Sequence, residues 1–434
     1  MSMCVCVCSR LLWALCTKTP GNLHCTTSCA TLIRADRMLL PWLCLLSALL
    51  LGVHCKSPGG TGALAAAAEG TWHLGLGLYH FLRNSSSPHE NLALCPPLLA
   101  SALAAVCQEG QLRHLLLGQD PTHPPSLRQA LSELLSVMFG GHEGAYLLHG
   151  ESALATPPTA PAPPPGPLRD AETSFRLRHL PLPPPGPDGD PTAALQLLNE
   201  WAENSTGGGV AELAGELPPH TEAALLANAL HLRGLWDREF DREGVDSRRF
   251  LGTEYTTVEM MHRAGVYRHM EDLEKMVQAV ELPLAGGRVS LVLLLPLHVE
   301  PLARLERLLT REQLDAWLER LTERSVAVSL PLVTLSSALD LKDSLAALGL
   351  SDADLRGELA GAGGSRRLGG VLHAAALELG PGGAPVSGEE DVRDAKLFYA
   401  DHGFIALLRD GHTGALLLIA TLDEAGGARL HDEL

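Results

Sequence analysis

The sequence predicts an α+β fold in which strands and helices interleave without a regular βα period. Three observations predict it. Val289–Leu295 is an unbroken apolar run, which reads as a strand buried on both faces. Leu302, Leu305, Leu308 and Leu309 then make one face of a helix. Thr310 and Gln313 form a capping box for a second helix carrying Leu314, Trp317, Leu318 and Leu321. The third observation is a return to strand. Val326, Val328 and Leu330 alternate, and Phe404–Leu408 and Ala415–Leu422 are apolar runs joined by Asp410-Gly411-His412-Thr413-Gly414, a hairpin signal.

Composition bounds the class. The chain has 434 residues, 46% of them hydrophobic, enough to bury a large core. The formal net charge is −17. Residues 1–55 hold Arg10, Lys18, Arg34 and Arg37 against Asp36, a net of +3, which leaves −20 for the rest. That balance argues against a nucleic-acid partner and suits a basic ligand. Of ten cysteines, only Cys95 and Cys107 lie beyond residue 55, so no disulfide framework is expected. There is no Gly-x-Ser-x-Gly, no phosphate loop and no convincing pair of metal ligands, so neither enzyme chemistry nor a cofactor or metal is expected.

The two ends carry addresses. Arg34 and Arg37 precede an apolar stretch, Leu39–Val53, and Val53-His54-Cys55 supplies small residues for cleavage. Residues 1–55 therefore read as an N-terminal extension plus a secretory signal peptide starting at about residue 38. The alternative is an uncleaved membrane anchor, which the short apolar stretch disfavours, so no span is expected after cleavage. At the other end, residues 426–434 form a tail closing on His431-Asp432-Glu433-Leu434, a retrieval signal for the endoplasmic reticulum. Both ends place the chain in the lumen, with a retrieval receptor as one partner.

Between them, residues 56–70 are Gly- and Ala-rich and read as a disordered linker. Leu74, Leu78, Phe81 and Leu82 make a helical stripe, and Ser126–Met138 reads as another helix. Asn84-Ser85-Ser86 and Asn204-Ser205-Thr206 are glycosylation sequons, so Asn84 and Asn204 are candidate glycan sites. The Pro-rich runs Pro157–Pro167 and Pro181–Pro191 read as exposed insertions of polyproline character within 157–191.

The stretch of most interest is Lys396–Phe404. Alternation makes it a strand with Leu397, Tyr399 and Asp401 on one face and Phe398, Ala400 and His402 on the other. The second face suits a core. The first presents a leucine, an aromatic with a polar tip and a carboxylate, spaced for a ligand with an apolar body and a cationic group. An edge strand guarded by a charge is the competing reading.

Leu397–Phe404 with the terminal hairpin resembles the C-terminal signature of the serpins. A second stretch is similar to another serpin signature, with Leu198-Asn199-Glu200-Trp201 followed by Leu226-Ala227-Asn228-Ala229-Leu230-His231-Leu232-Arg233-Gly234-Leu235-Trp236. Asn91-Leu-Ala-Leu-Cys95-Pro-Pro resembles the family's strand-to-helix segment, with Cys95 in place of a serine. Together with the retrieval tail, these place the closest resemblance in the collagen-binding, heat-shock clade of lumenal serpins (clade H). The resemblance implies a serpin fold over residues 71–425, with three β-sheets, eight or nine helices and an exposed reactive-centre-like loop. It also implies a monomeric, stress-responsive, non-enzymatic chaperone for the procollagen triple helix.

The hinge bears on the choice between inhibitor and binder. Inhibitory serpins insert the loop into a sheet. Here Ala374–Leu379 ends a strand, and Pro381, Gly382, Gly383 and Pro385 follow. Each proline removes a ladder donor and the glycines are costly to order, so a non-inhibitory serpin is expected.

The clade's collagen contacts carry over residue by residue. The resemblance gives Asp401 the pairing with an arginine of a Gly-X-Arg triplet, and Leu397 and Tyr399 the apolar contacts. It gives Arg248 and Leu251 a second set of contacts on a neighbouring element. The clade releases cargo on acidification, and His402, His262, His298 and His373 match its histidine positions. The chain departs where Gly403 stands for the usual proline and Ala420-Thr421 for Gly-Arg, and the clade's histidines near Asp241 and Arg242 are absent. A protease-inhibiting serpin, or a lumenal serpin without collagen affinity, remain the alternatives.

Overall fold

The structure, a computed structural model, describes residues 61–85, 90–118, 127–140, 146–160, 162–218, 223–350, 368–385, 392–426 and 428–429. The signal peptide with its extension and the retrieval residues His431–Leu434 lie outside the described residues. Among the described residues there are nine α-helices and fifteen strands, which meets the expected α+β class and helix number.

The first helix, α1 (Thr61–Ser85), begins inside the stretch expected to be a disordered linker. For residues 61–70 that expectation is corrected. Ala65–Ala68 form a run of the strongest helix former, and Ala66, Ala67 and Ala68 are buried. The helix lies close against its neighbours, because a Cβ at Gly75 would come within 2.8 Å of both Leu416 and Pro96. Its Trp72, Leu74, Leu78 and Tyr79 enter the main core. The next elements are β1 (Leu92–Leu94) and α2 (Pro96–Val106). Proline at the first helical turn wastes no hydrogen bond, which fits α2 starting on Pro96-Pro97. Cys95 caps it, fully buried, with its thiol pushed up to about 12 by burial, so it is an inert small hydrophobe there.

A five-stranded sheet runs in the order β10 (Val333–Asp340), β11 (Leu368–Leu379), β4 (Ala224–Gly234), β2 (Tyr146–Thr156) and β3 (Leu177–Pro181). Leu226, Leu230, Val371 and Ala375 face the main core. Ala227, Ala229, Ala374 and Ala376 face a second core beneath α6 (Thr192–Ser205), which contributes Leu198 and Ala202. Both faces of the central strands are therefore buried, and alanines let the helix sit close. The Pro-rich region is also corrected. Residues 165–181 form a helix, α5 (Pro165–Phe175), and the edge strand β3. The prolines survive because they fall at the helix N-terminus and at the end of an edge strand. The rest holds a turn after β2, an extended stretch and one turn of 3-10 helix, Pro187–Gly189.

The other strands form a ten-stranded network in the order β1, β14 (Leu416–Leu422), β13 (Phe404–Asp410), β8 (Val289–Pro296), β7 (Val277–Pro283), β6 (Tyr255–Asp272), β9 (Thr322–Pro331) and β12 (Lys396–Tyr399). Two further strands, β5 (Asp246–Leu251) and β15 (Ala428–Arg429), pair with β6. Two groups of strands share the 18-residue β6. Its early part pairs with β5, its middle with β9, and its end with β7. With the five-stranded sheet these make the expected three sheets. The strand expected over Lys396–Phe404 is split, since β12 stops at Tyr399 and β13 starts at Phe404. The alternation continues across the break, with Phe398 and Ala400 fully buried.

The hinge segment is pinned. β11 and β4 pair directly in parallel from Leu368 opposite Ala224 to Glu378 opposite Arg233, so no inserted strand lies between them. Beyond β11, the Trp236 indole donates to the Gly380 carbonyl (2.6 Å). The backbone N–H groups of Trp236, Phe240 and Glu239 donate to the carbonyls of Gly382, Pro381 and Ala384, each at 3.0 Å. Gly383 passes so close to this turn that a Cβ would meet Glu239 N and Trp236 O at 2.7 Å. Loop insertion would break this set and place two prolines in a central ladder. The expected outcome of incubation with trypsin-like and chymotrypsin-like proteases is loop cleavage without a covalent complex on denaturing gels. A stable complex would contradict it.

Candidate ligand-binding face

The candidate residues come together through the register of four strands. β12 pairs in parallel with β9, which sets Leu397 beside Ala327 and Tyr399 beside Ser329. β9 sets Ser329 beside His262 of β6, and β6 sets Met260 and Val258 beside Asp246 and Arg248 of β5. Side chains in register on neighbouring strands share a face. One face of this group therefore carries Leu397, Tyr399, His262, Asp246 and Arg248. Leu397 is 63% exposed, an unusual degree for a leucine on a strand, because β12 is the end strand and its inward partners Phe398 and Ala400 already fill the core.

Asp401 follows in the connection to β13 and is held from two sides. Its carbonyl accepts from the Leu251 backbone N–H at 2.8 Å, which stitches the end of β5 to this connection. Its carboxylate lies 2.8 Å from Nδ1 of His402, while Nε2 of His402 lies 3.1 Å from the Pro296 carbonyl at the end of β8. His402 is buried, as alternation predicts, whereas the Asp401 side chain keeps a third of its surface open.

Across the face, Nε of Arg248 donates to Asp246 Oδ1 at 2.8 Å and Nη2 donates to Oδ2, a two-pronged pairing. His262 bridges Ser329 Oγ (2.8 Å) and Asp246 Oδ1 (3.0 Å). The hydrogen bonds from Arg248, and then from His262, hold the Asp246 carboxyl down at about 2. The Tyr399 phenol is pushed above its usual range, first by burial. Arg248 opposes the shift, and the Asp401 and Asp246 carboxylates add to it, so Tyr399 sits in the field of all three charges.

The structure thus brings together Leu397, Tyr399, Asp401, Arg248, Leu251, His262 and His402. His298 is exposed on the turn after β8, nearby in sequence to Pro296. His373 stands apart, buried on β11 of the five-stranded sheet, where its Nε2 accepts from the Cys95 backbone N–H (3.1 Å). Burial pushes its ring down to about 4. Asn84 and Asn204 are both exposed at the ends of helices. The sequence reading missed Asp246 and Ser329. Asp246 had a signal, because an acid two residues before Arg248 on a strand must share its face. Ser329 had none, since its place depends on pairing with β12.

Two groups of strands sharing one long strand, a five-stranded sheet with directly paired central strands and a pinned hinge segment define the class. The chain belongs to the serpin family: the profile described as Serpin (serine protease inhibitor) matches residues 187–424. Among curated relatives, Serpin H1 of Mus musculus is 34% identical over 421 residues, covering 92% of this chain and 99% of the relative. Serpin H1 of Gallus gallus is 34% identical over 382 residues, covering 85% and 93%. Among solved structures, uncleaved ovalbumin matches with a TM-score of 0.70 at 23% identity, covering 84% of this chain and all of that one. Native protease nexin-1 with heparin matches at 0.69 and 19% identity, covering 83% and 100%. These two support the fold.

Proposed function

We propose that the chain is a non-inhibitory serpin that acts as a chaperone for the procollagen triple helix in the lumen of the endoplasmic reticulum, recognising Gly-X-Arg. The observation that carries this reading is the row of exposed Leu397 and half-buried Tyr399 on an end strand, continued by the partly open Asp401 just beyond it, with Arg248 across the same face. A triple helix turns its X and Y side chains outward on a stiff rod. An arginine from such a rod meets Asp401 in a bidentate fork, while Leu397 and Tyr399 cover its apolar flank. Arg248, oriented by Asp246, offers its remaining N–H groups to ligand carbonyls. Binding needs no cofactor and no covalent step. The tail residues His431–Leu434 return the protein to the lumen, and glycans occupy Asn84 and Asn204.

The direct test is retention on immobilised native procollagen at neutral pH, with heat-denatured collagen as the comparison. Selective retention on the native form is expected. Equal retention on both, or none, would contradict the reading.

Release in mild acid follows from His402 and His262. His402 faces two acceptors, the Asp401 carboxylate and the Pro296 carbonyl. A neutral ring can donate to only one of them, a protonated ring to both. Gaining a proton tightens its hold on Asp401 and adds a positive charge beside the incoming arginine. His262 adds a second charge near Arg248. The remaining acids near His402, Glu300 and Asp423, pair with Arg304 and Arg83. His373, held at about 4, stays neutral in mild acid and is not part of this sensor. Affinity is expected to fall severalfold between pH 7.4 and 5.8, and His402→Gln is expected to remove most of the fall. An unchanged pH profile in that variant would remove His402 from the account.

A further inference from the structure

The five-stranded sheet carries, at its β3 edge, an open cleft of about 460 Å³ lined by Glu151 of β2, Glu172 of α5, Arg178 of β3 and Arg176, the residue that joins α5 to β3. None of these residues belongs to the proposed collagen face, which lies on β5, β6, β9 and β12 of the other strand network. We propose that this cleft binds a small zwitterion of the amino-acid type, with its carboxylate on the Arg176 guanidinium and its ammonium on the Glu172 carboxylate. The inference is independent of the procollagen reading, and the two stand or fall separately.

The path of the chain places Arg176. α5 ends at Phe175 and β3 begins at Leu177, so a single residue has to turn the chain. It does so at φ 52° and ψ 31°, the left-handed conformation that glycine or asparagine usually takes after a helix. Arginine adopts it less readily than either, and here its side chain is held firmly. Its Nε donates to the Gly150 carbonyl at 3.2 Å. Its guanidinium carbon lies 4.2 Å from the centre of the Phe139 ring, on α4 (Leu127–Gly140). Its own carbonyl accepts from the Ser152 backbone N–H at 3.0 Å, which fastens the turn to β2. A guanidinium stacked on an aromatic face with Nε already engaged loses little freedom when a ligand arrives. Its two terminal nitrogens make no hydrogen bond among the described residues and are left for that ligand.

Charge selects the ligand. The cleft is lined by two guanidiniums and two carboxylates, so its charges sum to zero. Arg178 Nη2 and Glu151 Oε1 already pair at 2.9 Å. Arg176 and Glu172 stand one helical turn apart and make no ion pair among the described residues. What stays open is one positive and one negative group side by side, and an occupant with one charge of each sign satisfies both. An anion alone would be repelled by Glu172, and a cation alone by Arg176. The carboxylate of an amino acid takes the two-pronged fork of Arg176, while its ammonium, a compact charge with three donors, meets Glu172. Size agrees, since small-molecule sites run from about 300 to 1,000 Å³ and this cleft sits low in that range. All four lining residues are charged, so nothing in the cleft rewards an apolar ligand.

The experiment titrates the purified protein at neutral pH with glycine, β-alanine and γ-aminobutyrate, whose two charges lie progressively further apart. Propionate and propylammonium serve as single-charge controls, and binding is read by calorimetry. At least one zwitterion is expected to bind about tenfold more tightly than either control. Arg176→Asn keeps a residue that suits the left-handed turn, and Glu172→Gln changes an exposed helix position. Each is expected to erase the advantage of the zwitterion without lowering the thermal unfolding temperature. Zwitterions that bind no better than propionate or propylammonium would overturn the proposal. So would an advantage that survives either substitution, or a failure of every compound to bind.

Discussion

Asp401→Asn is expected to weaken binding of a Gly-X-Arg triple-helical peptide by roughly 30- to 150-fold, about 2–3 kcal/mol. The change keeps the shape and one acceptor oxygen but removes the charge that an arginine fork requires. The loss should be almost entirely in the dissociation rate, because the rest of the face is unchanged and the chain's net charge of −17 moves by only one. Folding should be unaffected, since the Asp401 backbone makes the bond to Leu251 and the side chain is partly open. Surface plasmon resonance at neutral pH, with thermal unfolding as the control, reads both. A loss below threefold would mean that the ligand's charge is met elsewhere.

The second large effect concerns stability. Asp410 closes the turn between β13 and β14 and is 1% exposed. Its Oδ1 accepts from Arg288 Nε at 2.8 Å, and its Oδ2 accepts from the Thr413 hydroxyl (2.6 Å) and backbone N–H (3.1 Å). Asp410→Ala leaves a guanidinium and two donors without their acceptor, at a cost of about 3 kcal/mol. Burial acts to raise the Asp410 carboxyl, but the Arg288 and Thr413 bonds outweigh it and the net shift is downward. The sign follows from that. A carboxyl depressed in the folded state contributes stability above its unfolded value, about 3.9, and loses it as the pH falls through the folded value. The gap between wild type and variant in urea midpoint should therefore hold from pH 7 to about 5 and narrow below about 4. A gap that is constant into acid would show that the charge is not what holds the turn.

How much of this was legible in the sequence depends on whether the deciding contact is local. The buried run Val289–Leu295, the Thr310 cap and the end of the hinge strand at Leu379 are set by neighbours in the chain, and each stands where its residues imply. The alternation at Leu397–His402 assigned the faces correctly even though the strand breaks at Ala400, because outward and inward residues still have to follow the pleat. What could not be read was long-range. Ser329 reaches His262 through the register of β9 and β6, and the cleft around Arg176 needs β2, α5 and β3 together. The helix over residues 61–70 was hidden by glycines that suggest disorder, whereas alanine burial against the core decides it. Proline misled in the same way, since position within a helix or sheet determines whether it is tolerated.

The measurement that goes most directly to the recognition of arginine by Asp401 is a double-mutant cycle. Wild type and Asp401→Asn are each titrated with triple-helical peptides carrying Gly-Pro-Arg or Gly-Pro-Gln at neutral pH. The account predicts that wild type strongly prefers the arginine peptide and that the variant binds both peptides with similar low affinity, a coupling of about 2 kcal/mol. An arginine preference that survives intact in the variant would contradict it.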